Sequence, residues 1–257
     1  MRYASLASGS AGNCHAISDG ERTLLIDAGI SLRQIKKRLE SLGWNSDHVR
    51  GVAISHEHSD HVNAVPVILN RTNWMILATP NTLDAIEITK GIDVPKSRWI
   101  PLVAGRAHGW EGWRLHPFAL PHDAIDPVAY RIEAGGASLA VITDLGYATA
   151  LAIEYASDLD LLALESNHDV GMLRDGPYPP QLKARILSRV GHLSNDSCAE
   201  MLDRVLSPKL RHIVLAHLSE QNNDPALARL ASAEVIKNAC GTGLHIASQG
   251  EAFEVPL

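Results

Sequence analysis

Residues 54–61 read Ile-Ser-His-Glu-His-Ser-Asp-His, which puts His56, His58, Asp60 and His61 within six positions. Neutral imidazole and carboxylate are the ligands that zinc and similar first-row divalent ions prefer. In an extended segment His56 and His58 point the same way, because side chains alternate with period two. Asp60 and His61 can then turn toward a neighbouring point as a helix begins. The cluster can feed two adjacent metal ions.

A two-metal site needs further ligands from distant loops, and three segments share one pattern: an apolar strand ending in His or Asp. Phe118–Pro121 ends at His122, Leu139–Thr143 at Asp144, and Ile213–Ala216 at His217. A strand end is rigid on one side and open to a cleft on the other, which suits preorganised ligands. As a carboxylate, Asp144 could bridge two ions.

The elements that must position these groups follow from hydrophobic period and turn signals. Strands are predicted at 3–7, 14–17, 23–27 and 49–54, the last an apolar run leading into the His cluster. A helix over 32–42 carries Leu32, Ile35, Leu39 and Leu42 on one stripe, with Ser31 as N-cap and Gly43 as stop. A helix over 62–70, a strand at 75–78 and a helix over 81–89 complete the first half. The second half reads as strands at 98–101, 113–120, 128–133, 138–143, 160–164, 212–216, 244–247 and 252–255. Helices are predicted over 148–155, 179–189, 196–206 and 225–238. Two such halves packed sheet to sheet, with helices outside, make a four-layer αββα sandwich in one domain spanning 1–257. The metals would lie at the sheet edge where loops from both halves converge.

These motifs resemble the metallo-β-lactamase superfamily. Ser55–His61 is similar to its hallmark Thr-His-x-His-x-Asp-His, and Asp27-Ala28-Gly29 to the Asp-x-Gly that precedes it. The resemblance implies that one metal takes His56, His58 and His122, that the other takes Asp60, His61 and His217, and that Asp144 bridges them. Members with a redox di-iron site typically carry Glu where this chain has His58, so hydrolysis is implied. Ser55 stands for the usual Thr, and Ala64 where Gly commonly follows the Asp-His.

A narrower resemblance, to the WalJ/YycJ-type branch, rests on several blocks in order. They are Ser8-Gly9-Ser10-Ala11-Gly12-Asn13, Asp27-Ala28-Gly29-Ile30-Ser31, Pro121-His122-Asp123-Ala124, Glu165-Ser166-Asn167-His168-Asp169, Gly191-His192-Leu193-Ser194-Asn195, and His217-Leu218-Ser219 with Asn222-Asn223. That branch is associated with 5′-to-3′ exonuclease activity on DNA.

Two divalent ions roughly 3.5–4 Å apart would lower the pKa of a bridging water, supply hydroxide as nucleophile and neutralise the attacked phosphate. Asp60 is read both as ligand and as the group that orients the water. The 8–13 loop offers an anion nest in which Ser10 and Asn13 meet a phosphate. His168 and His192 are candidates to hydrogen-bond a phosphate oxygen or protonate the leaving group. The remaining histidines, among thirteen in all, are read as structural or solvated.

Composition bounds the rest. The chain is 46% hydrophobic and 20% charged over 257 residues, ordinary for a folded domain. No stretch approaches a membrane span of about 20 apolar residues, and the first residues lack a signal-peptide core, so a cytoplasmic protein is expected. Cys14, Cys198 and Cys240 are scattered and odd in number, which argues against disulfides and a Cys-based zinc site. A net charge of −6 argues against nucleic-acid binding by bulk charge, but two helices are locally basic: Arg33, Lys36, Lys37 and Arg38 on one, Lys183, Arg185 and Arg189 on another. Trp110 and Trp113 are read as core. The leading expectation is a two-metal phosphodiesterase acting on DNA, using zinc or manganese, with iron also compatible. The alternative is a small-molecule hydrolase acting on a thioester, lactone or cyclic phosphodiester. A non-catalytic protein with a retained metal site is a third. A homodimer is compatible with everything in the chain.

Overall fold

The computed structural model of the chain describes residues 1–237 and 241–257; Cys240 and the expected end of the last helix at 238 lie outside them. The first sheet contains β1 (Arg2–Ala7), β2 (Cys14–Ser18), β3 (Thr23–Ile26), β4 (Val49–Ala53), β5 (Met75–Ala78) and β6 (Trp99–Pro101). The second contains β7 (His108–Trp110), β8 (Trp113–Ala119), β9 (Val128–Ala134), β10 (Ala137–Ile142), β11 (Leu161–Glu165), β12 (His212–Ala216) and β13 (Gly243–Ile246). The last strand, β14 (Phe253–Pro256), pairs antiparallel with β1, Arg2 opposite Pro256. The chain therefore does not divide into two halves: its end closes the edge of the sheet its beginning opened.

Helices α1 (Leu32–Ser41), α2 (Ser59–Val62), α3 (Val65–Arg71) and α4 (Pro80–Lys90) belong to the first sheet's half of the chain. Helices α5 (Ala150–Ala156), α6 (Val170–Asp175), α7 (Pro180–Ile186), α8 (Asn195–Val205) and α9 (Pro225–Ile236) belong to the second. One apolar cluster joins α1, α3 and α4 to the outer face of the first sheet, and another joins α5, α8 and α9 to the second. A third, with Tyr3, Leu24, Trp113, Tyr130 and Val214, lies between the sheets. This is the four-layer αββα sandwich. β11 is buried at every position, as a strand covered on both faces must be.

Local chemistry sets the boundaries. Ser31 and Gln34 form a capping box at the start of α1, and Gly43 follows its end at φ +73°, a left-handed value that glycine adopts without strain. The single helix expected over 62–70 is two. The Ala64 N–H turns to Ala28 O at 2.9 Å, and Pro66 opens α3 without a donor, so α2 stops at Val62.

Strands β3–β6 are mutually parallel, as are β10–β13. Their carboxyl ends carry Asp27, the Ser55–His61 loop, Asp144, Glu165 and His217. Open parallel sheets bind ligands at that edge.

Candidate metal centre

Ligating atoms of His56, His58 and His122 lie within 4.8 Å of one another, and so do those of Asp60, His61 and His217. Asp144 faces both groups. Its Oδ2 is 3.1 Å from His61 Nε2, and its Oδ1 is 3.7 Å from His122 Nε2 and 3.5 Å from His217 Nδ1. All seven side chains named from the sequence thus meet at one edge.

The outer nitrogen of each of four imidazoles is spoken for. His61 Nδ1 is 2.8 Å from Asp27 Oδ2, which also accepts the Ser55 hydroxyl at 2.9 Å. His56 Nδ1 meets the same Ser55 Oγ at 2.9 Å. His122 Nδ1 donates to Gly191 O at 3.2 Å, and His217 Nδ1 to Glu165 Oε1 at 2.9 Å. A proton on Nδ1 leaves the Nε2 lone pair pointing inward, the arrangement metal-binding histidines use.

The donor set fits divalent cations. His56 Nε2, His217 Nε2 and Asp144 Oδ2 are buried with no hydrogen-bond partner, a costly state unless a ligand fills it. The carboxylates of Asp27, Asp60, Asp144 and Glu165 crowd the same space, and no Lys or Arg among the described residues pairs with any of them. Burial opposes ionisation of Asp60, but His61 and His217 outweigh it and hold the carboxyl well below its usual range. At His56, burial and the neighbouring His61 push the imidazole down, toward the neutral form that binds metal.

Backbone geometry shows the same emphasis. Asp27, Asp144 and His217 have φ of +61°, +59° and +56°. A left-handed conformation costs a non-glycine residue about 1–2 kcal/mol, and such strain gathers at functional sites. Local bonds hold it: His217 N–H donates to Ser8 Oγ at 2.7 Å, and Asn167 Nδ2 to His217 O at 2.8 Å. Gly29 packs against the His-loop backbone so closely that a Cβ there would lie 1.7 Å from Asp60 O.

The structure bears on three of the expected substrate contacts. In the 8–13 loop five N–H groups are already bonded within the protein: Ser8 to Ser248 O, Gly9 to Asn13 Oδ1, Ala11 to Gln249 Oε1, Gly12 to Gly9 O and Asn13 to Asp60 O. Asn13 is wholly buried, its Nδ2 3.3 Å from Asp60 Oδ2 and 3.2 Å from His61 Nε2, so its amide is turned to the ligand cluster. His168 is also buried, with both ring nitrogens unpartnered, and burial pushes its pKa down to about 4. It does not line the cavity next to the ligand cluster, whereas His192 does.

That cavity, of about 170 Å³, is lined by Ser10, Asn167, Tyr178, Arg185, His192 and Ser219 among others. His192 Nδ1 donates to Glu165 Oε1 at 2.8 Å, and Glu165 Oε2 accepts from Leu145 N at 2.7 Å and Leu193 N at 3.2 Å. Glu165, Asp27 and Ser55 are the supporting groups that the sequence reading did not assign. Glu165 ends an apolar strand, as Asp144 does, and that pattern could have found it.

The fold and the site define a class. The chain belongs to the β-lactamase superfamily: the model of the beta-lactamase superfamily domain matches residues 22–218. It is a metal-dependent hydrolase of that fold. It is 34% identical over 255 residues to the exodeoxyribonuclease YycJ of Bacillus anthracis, covering 99% of this chain and 94% of that protein. It is likewise 34% identical to the exodeoxyribonuclease WalJ of Streptococcus pneumoniae over 93% of this chain and 89% of that one. Zinc-bound PqqB from Methylobacterium extorquens shares the fold with a TM-score of 0.75, at 19% identity over the whole of both chains.

Proposed function

We propose that the protein is a two-metal phosphodiesterase that shortens DNA from the 5′ end. The observation that carries the reading is the pair of triads, His56–His58–His122 and Asp60–His61–His217, sharing Asp144 between them. Two divalent ions held there, zinc or manganese, would activate a water and neutralise the phosphate it attacks. Asp60, a ligand with part of its side chain open to solvent, orients that water. His192, fixed through Nδ1 by Glu165 at the rim of the cavity, places its ring to hand a proton to the leaving oxygen. Ser10, Asn167 and Ser219 offer hydrogen bonds to the scissile phosphate or its sugar.

The substrate assignment rests on the extent of the likeness to two exodeoxyribonucleases, together with the character of the cavity. Beside Leu182, Ile186 and the Asp123–Arg185 pair, hydroxyl, amide and imidazole groups line it, and these suit the oxygens of a phosphodiester.

The test is metal analysis of the purified protein, followed by incubation with Mn²⁺ or Zn²⁺ and end-labelled double-stranded DNA, beside bis-p-nitrophenyl phosphate and a thioester. Two ions per chain and shortening from the 5′ end, absent in Asp60→Ala, are expected. Turnover of the small substrates alone would replace this reading with a small-molecule hydrolase.

A further inference from the structure

The two basic helices recognised in the sequence have different fates. Around the cavity the cations are consumed: Arg185 pairs with Asp123, Lys183 Nζ donates to Arg174 O at 2.6 Å, and the Arg189 guanidinium sits 4.0 Å over the Tyr147 ring. On α1, Arg38 turns inward to Leu6 O. The other three, Arg33, Lys36 and Lys37, make no ion pair or side-chain hydrogen bond among the described residues, and neither do the exposed Arg50 and Arg71.

These five line two adjoining hollows that share Lys36. One, of about 520 Å³, runs between α1 and Val67 of α3, with Arg33 and Lys37 on its wall. The next, of about 310 Å³, is closed by Arg50 at the foot of β4 and Arg71 at the end of α3. Only Glu40 and Asp47 oppose them there.

The hollows form a track with a direction. α1 starts just past the Asp27–Gly29 loop, which is stitched to the metal-binding loop by Ala28 N to His61 O at 2.7 Å. α3 starts at the same edge, through Ala64 N to Ala28 O at 2.9 Å. Both then run away from it. Arg50 precedes His56 by six residues of mostly extended chain, so the track reaches roughly 20 Å from the metals. Along one DNA strand that length faces about six phosphates.

We infer that Arg33, Lys36, Lys37, Arg50 and Arg71 form a docking track for the phosphate backbone of duplex DNA extending beyond the metal centre; this rests on the nuclease reading above. Charge complementarity selects the occupant, in a protein whose net charge of −6 would otherwise repel it. An anionic membrane would need apolar side chains beside the cations to insert. Here Leu32, Ile35 and Leu39 face the core, leaving Val67 as the single large apolar residue of the track that is exposed.

The test compares the holoenzyme with an Arg33→Glu/Lys37→Glu/Arg71→Glu variant, on duplexes of about 8 and 24 base pairs closed by a hairpin at one end and open at the other, across a salt series. The wild type is expected to show a lower KM on the longer duplex. The variant should lose that advantage, with KM on the long duplex rising on the order of tenfold and its salt dependence flattening. Bis-p-nitrophenyl phosphate, too short to reach the track, reports whether the metal centre is intact. An unchanged KM and salt slope in a variant that still cleaves DNA overturns the track alone. A wild type that hydrolyses the small ester but neither binds nor shortens DNA overturns the nuclease reading, and the track with it. Co-sedimentation of the wild type, but not the variant, with phosphatidylserine vesicles, at unchanged DNA kinetics, reassigns the surface to lipid and overturns the DNA occupant.

Discussion

Glu165 and His217 are joined by a 2.9 Å bond from Nδ1 to Oε1, and the same oxygen holds His192 at 2.8 Å. One fully buried carboxylate thus orients both His217 of the ligand cluster and His192 at the cavity. Its second oxygen accepts two backbone N–H groups. Burial alone would raise this carboxyl; His192 and His217 outweigh it and bring the pKa down to about 2.

Glu165→Gln tests that arrangement. Four donors converge on the carboxylate, and an amide offers a single acceptor, so its NH₂ must face two donors. We expect metal affinity to fall by about 10–100-fold, as for other residues that orient ligands. Stability should fall by about 1–3 kcal/mol from the unsatisfied buried groups. Metal titration followed by calorimetry and thermal melting measures both. Wild-type metal affinity in this variant would show that His217 needs no such support.

Asp144→Ala removes the carboxylate between the triads. The expected result is a folded protein with lowered metal content and no detectable hydrolysis of bis-p-nitrophenyl phosphate. Metal analysis beside circular dichroism distinguishes loss of metal from loss of fold. Full activity would sink the two-metal model.

How much of this was legible in the chain follows from how local each signal is. The His-x-His-x-Asp-His run and the strand ends at His122, Asp144 and His217 are local, and the structure gathers all seven side chains. The capping box and Gly43 stop of α1 are local too. What failed was non-local. The sequence of the 8–13 loop gives no sign that Gln249 and Asp60, far along the chain, take the N–H groups of Ala11 and Asn13. The pairing of β14 with β1 joins the chain ends, beyond any periodicity. On α7, Arg185 is paired by Asp123, 62 residues earlier, while Arg33, Lys36 and Lys37 of α1 have no partner among the described residues. β7 and α6, three and six residues long, are too short for a periodic pattern to reveal.

Gly29→Ala should be disproportionately damaging for one methyl group. Its Cβ would meet Asp60 O at 1.7 Å, and both partners are backbone, so no side chain can swing aside. Relief requires parting the bonds from Ala28 N to His61 O and from Asn13 N to Asp60 O, each 2.7 Å. We expect a loss of about 1–3 kcal/mol or more and weakened metal binding. A denaturant titration with a metal-content assay reads both effects. Wild-type values in each would mean that the two loops separate at no cost.

His168 gives the protein a built-in sensitivity to mild acid. Burial takes its pKa from 6.5 down to about 4, with both ring nitrogens unpartnered. Between those two values the unfolded chain binds a proton at this position and the folded chain does not. Falling pH therefore favours unfolding across that window, and the loss is recovered as pH climbs back through it, complete by about 6.5. The size of the effect between pH 7 and pH 5 is on the order of 1–2 kcal/mol. His168→Gln removes the titrating group, so its melting temperature should drop less than that of the wild type over the same interval, with metal held saturating at both pH values. Parallel pH profiles for the two proteins would mean that His168 is protonated as readily inside the fold as outside it, and that a carboxylate or bound water reaches its ring.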